Sequence, residues 1–352
     1  MRRPTVVLFL FCCLSPWAFS GTHNFTQEEP PTREQVQTSR QSYQSNLGCP
    51  GADPNDPFQM NLRYPYGPRR GQCMRLDEYR PIHILTSEEA ESYALKAGLP
   101  SPVPGEIWIA NVRHQDKFWV ARIPKDAVDN VFFEIERFDY GGKILSELNR
   151  RRWYAAHAEV RFKFKKGKEA VFIPQLTNDR SKPQEMSDIV VSSEAVRRKG
   201  ESFNPIKGNR DHYGLAKRVL SLDQVLQDSL VKLGHEVAQY PIQIRGNADQ
   251  VNEQRQKYLI SALKRSDKDW QSYHSGKPVM YNTADRNCIS DALDIFDDVT
   301  NYRYFSNAEK AQPEVLPKHL LSDLFQRELI PNMQRRQYPT LNQETGIPFR
   351  QK

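Results

Sequence analysis

The chain has 352 residues, with 50 Lys and Arg against 43 Asp and Glu, a net charge of +7. That surplus is mild, as expected of a solvated surface, and no recognisable nucleic-acid-binding motif accompanies it, so nucleic acid is excluded as a partner. Beyond the N-terminus no segment is apolar enough to span a bilayer, and any membrane contact would be peripheral.

The N-terminus carries Arg2 and Arg3, an apolar run over residues 6–14, and Ala18-Phe19-Ser20 before Gly21. A charged start, a short apolar run and a small-x-small site predict a signal peptide over residues 1–20. The run is far below the roughly 20 residues of a membrane span, which argues against a retained anchor. Cys12 and Cys13 are not in a lipobox. Cleavage leaves 48 cationic against 43 acidic side chains, a charge of +5, and three cysteines: Cys49, Cys73 and Cys288. The expected location is the periplasm or the exterior.

Residues 21 to about 45 are polar and without periodicity, a composition that predicts disorder. A Pro-rich extension continues to residue 80. Within it Cys49 and Cys73 bracket a stretch of little hydrophobic content and are expected to pair in an oxidising compartment. Such a loop contributes about 3 kcal/mol on the chain-entropy model. Residues 81–335 are expected to form one α+β domain, and residues 336–352 a basic polar tail.

Within the domain, Ser87 is expected to cap a short helix through Lys96 that is ended by Gly98. Strands are predicted over residues 107–112, 118–123 and 131–138. Residues 158–164 and 169–176 alternate in polarity on either side of Lys165-Lys166-Gly167-Lys168, which predicts a β-hairpin. A long loop with two prolines follows. Ser221 caps a helix ending at Gly234, residues 240–244 form a strand, and residues 249–264 an amphipathic helix. Two more helices are expected, one opening at Cys288 and one over residues 317–329.

Cys288 is the cysteine left over. On the first turn of a helix, a thiol sits at the positive end of the macrodipole, which favours the nucleophilic thiolate. A small buried core side chain is the equally weighted reading from these residues alone. A thiol nucleophile needs a general base and a group that orients it. His157, at the start of a strand after Trp153-Tyr154-Ala155-Ala156, is the candidate base. A His at a strand start and a Cys at a helix start form the arrangement of papain-like thiol enzymes, here in permuted order. No Gly-x-Ser-x-Gly elbow, zinc-ligand spacing, Walker sequence or dinucleotide fingerprint occurs, so neither a metal nor a cofactor is expected.

The segment Ala156-His157-Ala158-Glu159-Val160-Arg161-Phe162-Lys163-Phe164 before Gly167 resembles the His-containing hairpin of the Lnb-type N-terminal periplasmic domain family. Gly200-Glu201-Ser202-Phe203, Pro205, Gly208 and Tyr213 resemble its linker. Tyr281-Asn282 with Asn287-Cys288 resembles its Tyr-Asn…Asn-Cys block, and Leu316-Pro317 the start of its final helix. The likeness runs over roughly residues 105–330 in a consistent order. Two departures stand out: the family's Ile-Ser-x-Glu at the end of the second hairpin strand becomes Ile173-Pro174-Gln175, and its acidic-Arg-Asp segment is not recognisable in residues 214–228.

The resemblance implies a circularly permuted papain-like (NlpC/P60-like) domain, an antiparallel sheet packed on helices. It implies that Cys288 attacks an acyl carbonyl and that His157 takes and returns the proton. Gln175 would orient the imidazole, with Glu169 as the substitute. The Cys288 N–H and the Tyr281 hydroxyl would face the oxyanion, while Asn287 caps the helix. The reaction implied is acyl transfer or hydrolysis on lipid or lipoprotein acyl groups. Two alternatives stand beside it: an amidase or peptidase on cell-wall peptide, and a non-catalytic binding or scaffold domain, which the two departures favour.

Overall fold

Strands rich in Val, Ile, Phe and Trp, with side chains alternating between two faces, assemble into a mixed α+β fold around one large sheet. The computed structural model describes residues 49, 53, 55–60, 62–137, 156–197, 201, 203–208, 210–283, 286–302, 320–331 and 338–348. All of these belong to one compact unit. The expected leader, the polar stretch behind it, Trp153, Tyr154 and Leu316-Pro317 lie outside the described residues.

The strands are β1 (His83–Ile84), β2 (Ile107–His114), β3 (Lys117–Ile123), β4 (Val128–Arg137), β5 (Ala156–Phe164), β6 (Ala170–Pro174), β7 (Gln184–Met186), β8 (Asp188–Val196), β9 (Gly214–Ser221) and β10 (Val237–Pro241). Their order is β10-β4-β5-β8-β9-β2-β3-β6-β7, with β1 on β2. Every pairing is antiparallel except β2 with β9. The expected all-antiparallel sheet is therefore a mixed one.

The hairpin predicted around Gly167 does not form. The turn is present, with Lys168 N–H donating to the Lys165 carbonyl and Gly167 at a φ of 80° that suits glycine. Beyond it the two strands part. Both edges of β5 are taken, by β4 and by β8, and β6 pairs with β3 and β7. The turn chemistry is local, whereas the choice of partner depends on which apolar faces can be buried together.

The helices are α1 (Ser87–Ala97), α2 (Pro205–Gly208), α3 (Leu222–Val225), α4 (Ala248–His274), α5 (Cys288–Thr300), α6 (Leu320–Gln326) and α7 (Leu341–Thr345). Thr86, not Ser87, caps α1, in a reciprocal box with Glu89. Ser221 caps α3 as expected, and α3 runs on as a π-helical stretch, Leu226–Lys232. α4 is longer than its predicted range. Its buried Tyr258, Leu259, Ala262, Leu263 and Ser266 recur at helical spacing and face the sheet.

One face of the sheet is the main core. Phe133 and Ile135 of β4, Ala158, Val160 and Phe162 of β5, Val191 of β8 and Val219 of β9 pack against α4, α5 and α6. Those residues alternate with the side chains that make the other face. There, β5 turns His157, Glu159 and Arg161, and β8 turns Ser192 and Glu194, toward α3 and α7.

Both ends of the described chain are built into this fold. Cys49 and Cys73 form a disulfide. Leu62 and Tyr64 of the Pro-rich stretch they bracket, with Met74 and Leu76 just after it, are buried against Val196, Ala216 and Tyr273. The expected basic tail carries α7, whose Leu341 is fully buried and whose Glu344 binds Arg161 of β5. The start at residue 81 and the tail from 336 are therefore not structural boundaries.

Candidate active site

The loop before α5 explains why a helix begins at Cys288. Tyr281 N–H donates to the Tyr213 carbonyl, and Met280 bridges to Gly214, so this segment lies along the start of β9. Asn282 and Arg286 then exchange both backbone hydrogen bonds and close the loop. Asn287 accepts from Ile289 and Ser290 N–H at 2.9 and 3.1 Å, and Ser290 Oγ accepts in return from Asn287 N–H. Asn287 is thus a cap, and Cys288 is the first helical residue. Lys217 of β9 anchors the first turn by binding Asp291 of α5 and Asp269 of α4, at 3.4 and 2.8 Å.

His157 comes from the start of β5 and is buried. On one side of its ring lies the Cys288 sulfur, near enough for charge and hydrogen bonding to raise the imidazole. On the other, Nε2 lies 2.7 Å from Ser192 Oγ and 3.4 Å from Glu194 Oε1. Ser192 Oγ–H donates to Glu194 Oε1 at 3.0 Å, so it accepts from His157 Nε2–H. With Nε2 committed, Nδ1 is the nitrogen left to serve the thiol. Arg218 of β9 donates to the same carboxylate at 2.9 Å and closes the chain Cys288–His157–Ser192–Glu194–Arg218.

The electrostatics follow from that chain. Burial works against a charged His157 ring, but Glu194, then the Cys288 sulfur, outweigh it and hold the imidazole well above its ordinary value. Burial likewise opposes ionisation of Glu194, yet Arg218, His157 and Arg197 bring its carboxyl down to about 2. Burial, followed by Cys288, Glu194 and Asp291, drives the Tyr281 phenol far up, although the Cys288 backbone hydrogen-bonds to it. Tyr281 therefore stays a neutral hydroxyl. Its ring stands 5.6 Å from that of Phe203, edge to face.

Cys288, His157, Glu194 and Tyr281 border one cavity of about 580 Å³. The rest of its wall is mainly polar and charged, with Arg113, Arg197, Arg218, Lys232, Asp116 and Asp228 among the lining residues. Among the described residues, no group of three or more His, Cys, Asp or Glu could hold a metal ion.

Three of the four predicted site residues, Cys288, His157 and Tyr281, meet here. Gln175 does not. Its amide Oε1 accepts from Asn111 N–H at 2.7 Å, and its Nε2 donates to Asp56 and Asn111 at 2.7 and 2.9 Å. It thereby satisfies a bulge in β2, where Asn111 has a φ of 66° and the β2–β3 register shifts. The reason is topological: Gln175 follows β6, and β6 is not beside β5. Glu169, the substitute, accepts from Gly167 N–H in the turn.

Ser192, Glu194 and Arg218 are site residues the sequence reading missed. The signal was present. Asp188-Ile189-Val190-Val191-Ser192-Ser193-Glu194 is a strand by its β-branched content. Its Val191-Ser192-Ser193-Glu194 has the shape of the Ile-Ser-x-Glu pattern sought at residues 173–175. Pro183 and Pro205 flank the segment, and prolines are a loop signal that outweighs the strand pattern. Comparison with protein-family models, curated proteins and solved structures finds no match.

Proposed function

We propose that this chain is an exported cysteine-dependent acyl-transfer enzyme that works through a thioester at Cys288. The observation that carries the reading is the unbroken chain from the Cys288 sulfur through His157 and Ser192 to Glu194, bordering a cavity large enough for a substrate. His157 takes the thiol proton, and the thiolate attacks an acyl carbonyl. The Cys288 N–H and the neutral Tyr281 hydroxyl are the donors nearest the oxyanion. Collapse of the adduct breaks the bond to the leaving group, which takes the proton from His157, and leaves the thioester. Water or an amine then attacks, giving its proton to His157 and returning the sulfur as leaving group. Glu194, held ionised by Arg218, orients the ring through Ser192 and balances its charge.

The permuted papain-like description accords with a His at a strand start preceding a Cys at a helix start. The Cys49–Cys73 disulfide supports an oxidising compartment, hence export. Resemblance to the Lnb-type family points to acyl groups of lipids or lipoproteins. The charged cavity wall favours a second reading, an amidase or peptidase on cell-wall peptide.

The test is the rate of Cys288 alkylation by iodoacetamide at pH 6.5 in the folded protein. The expected rate is at least tenfold above that of a model thiol, and His157→Gln lowers it about 100-fold. A p-nitrophenyl acyl ester should also leave an acyl adduct on Cys288, visible by intact mass and absent in Cys288→Ser. A wild-type rate no greater than that of the model thiol sinks the reading.

A further inference from the structure

We propose that Arg197 is the anion receptor of the cavity, a specificity residue whose guanidinium binds a carboxylate or phosphate group on the acyl substrate. The proposal rests on the thiol chemistry above and adds the class of molecule it acts on. Four permanent cations line the cavity, and three are already engaged. Arg218 donates to Glu194 at 2.9 Å. Lys232 donates to Asp228 at 2.8 Å. Arg113 donates to the Asp77 carbonyl at 3.4 Å and stands 3.7 Å from Asp116. Arg197 is half-buried just past the end of β8 and makes no hydrogen bond or ion pair with the described residues.

Its position beside the reacting groups is nonetheless defined. Its charge reaches Glu194, the carboxylate that orients His157, and the Tyr213 phenol. It also shares the cavity wall with Cys288 and Tyr281. A guanidinium taken partly out of water without a hydrogen-bonded acceptor loses hydration that its attraction to Glu194 offsets only in part. An arriving oxyanion restores the balance with two parallel hydrogen bonds and breaks no existing ion pair. β8 and the residue that follows it then carry both halves of the site's logic: Ser192 and Glu194 set the base, and Arg197 selects the substrate.

Two alkylating reagents of nearly equal size separate this role from a structural one. In wild type, the ratio of iodoacetate to iodoacetamide rates at Cys288 should exceed that of a model thiol. Arg197→Gln should lower that ratio about tenfold, the loss expected for one charge-assisted contact. Arg197→Lys should restore most of it, and added salt should erode it. Protection of Cys288 from iodoacetamide by N-acetylglycine or by glycerol phosphate then tells a carboxylate-bearing substrate from a phosphate-bearing one. A ratio that is the same in wild type and Arg197→Gln overturns the proposal, while fast iodoacetamide alkylation would leave the thiol reading standing. Slow alkylation by both reagents in wild type removes the thiol reading and, with it, this one.

Discussion

The same strands build two unlike faces. On β5, Ala158, Val160 and Phe162 enter an apolar core beneath α4, α5 and α6. The residues between them, His157, Glu159 and Arg161, are equally buried but polar. Apolar burial stabilises at about 25 cal/mol per Å² and needs no particular geometry. Buried polar groups stabilise only where each finds a partner. Arg161 does, bonding Asp188, Gln239 and Glu344. Glu134 and Glu159, directly opposite each other on β4 and β5, fare worse: both Glu134 oxygens and one Glu159 oxygen lack a hydrogen-bond partner, and Glu134 has an ion pair with Arg161 at 3.6 Å. One face holds the fold together, and the other gives up stability to keep charged groups beside a thiol.

The largest effect should come from the apolar face. Phe162→Ala removes a fully buried ring and should cost about 3–5 kcal/mol in urea unfolding. A cost under 1 kcal/mol would erase the distinction between the faces.

Within the polar face, Glu134 should respond to pH in the opposite sense to Glu194, whose carboxyl is held low. Burial pushes Glu134 up to about 7 from its ordinary 4.5, with Asp188 and Glu344 adding to it against Arg161. Between those values the folded chain holds a proton that the unfolded chain has released. The stability contributed by Glu134 is therefore fully present below pH 4.5 and is lost as pH rises toward 7, by about 3 kcal/mol. Glu134→Gln should flatten that fall, as seen by comparing denaturant midpoints at pH 5 and pH 8. An equally steep fall in the variant would assign the loss to other groups.

Gln175 and Glu194 sharpen the contrast between holding the fold and serving the thiol. Gln175→Met leaves the Asn111 amide and the Asp56 carboxylate short of a partner. It should cost about 2 kcal/mol of stability without slowing Cys288 alkylation. Glu194→Gln should act on the thiol. It removes the strongest attraction that raises His157, so alkylation at pH 6.5 should slow about tenfold, beside a loss of stability from the buried partner Arg218 left without its carboxylate. If Gln175→Met slows the thiol as much as Glu194→Gln does, the assignment of the orienting group is wrong.

Much of this was written locally. The cap Asn287, the helix behind Cys288, the strand bearing His157 and the turn at Gly167 depend on residues within a few positions of one another, where hydrogen-bonding and steric rules act directly. The odd number of cysteines in the expected mature chain singled out Cys288, and the disulfide between the other two is present. Which strands became neighbours was a different matter. The alternation in β5 and β6 predicts two strands equally well whether they pair with each other or not, because the period states only which side chains share a face. The tertiary structure put β8 rather than β6 beside β5, and with that choice Glu194, not Gln175, came to lie beside His157. The physical reason is that pairing is decided by the collective burial of whole faces, to which residues far apart in sequence contribute together.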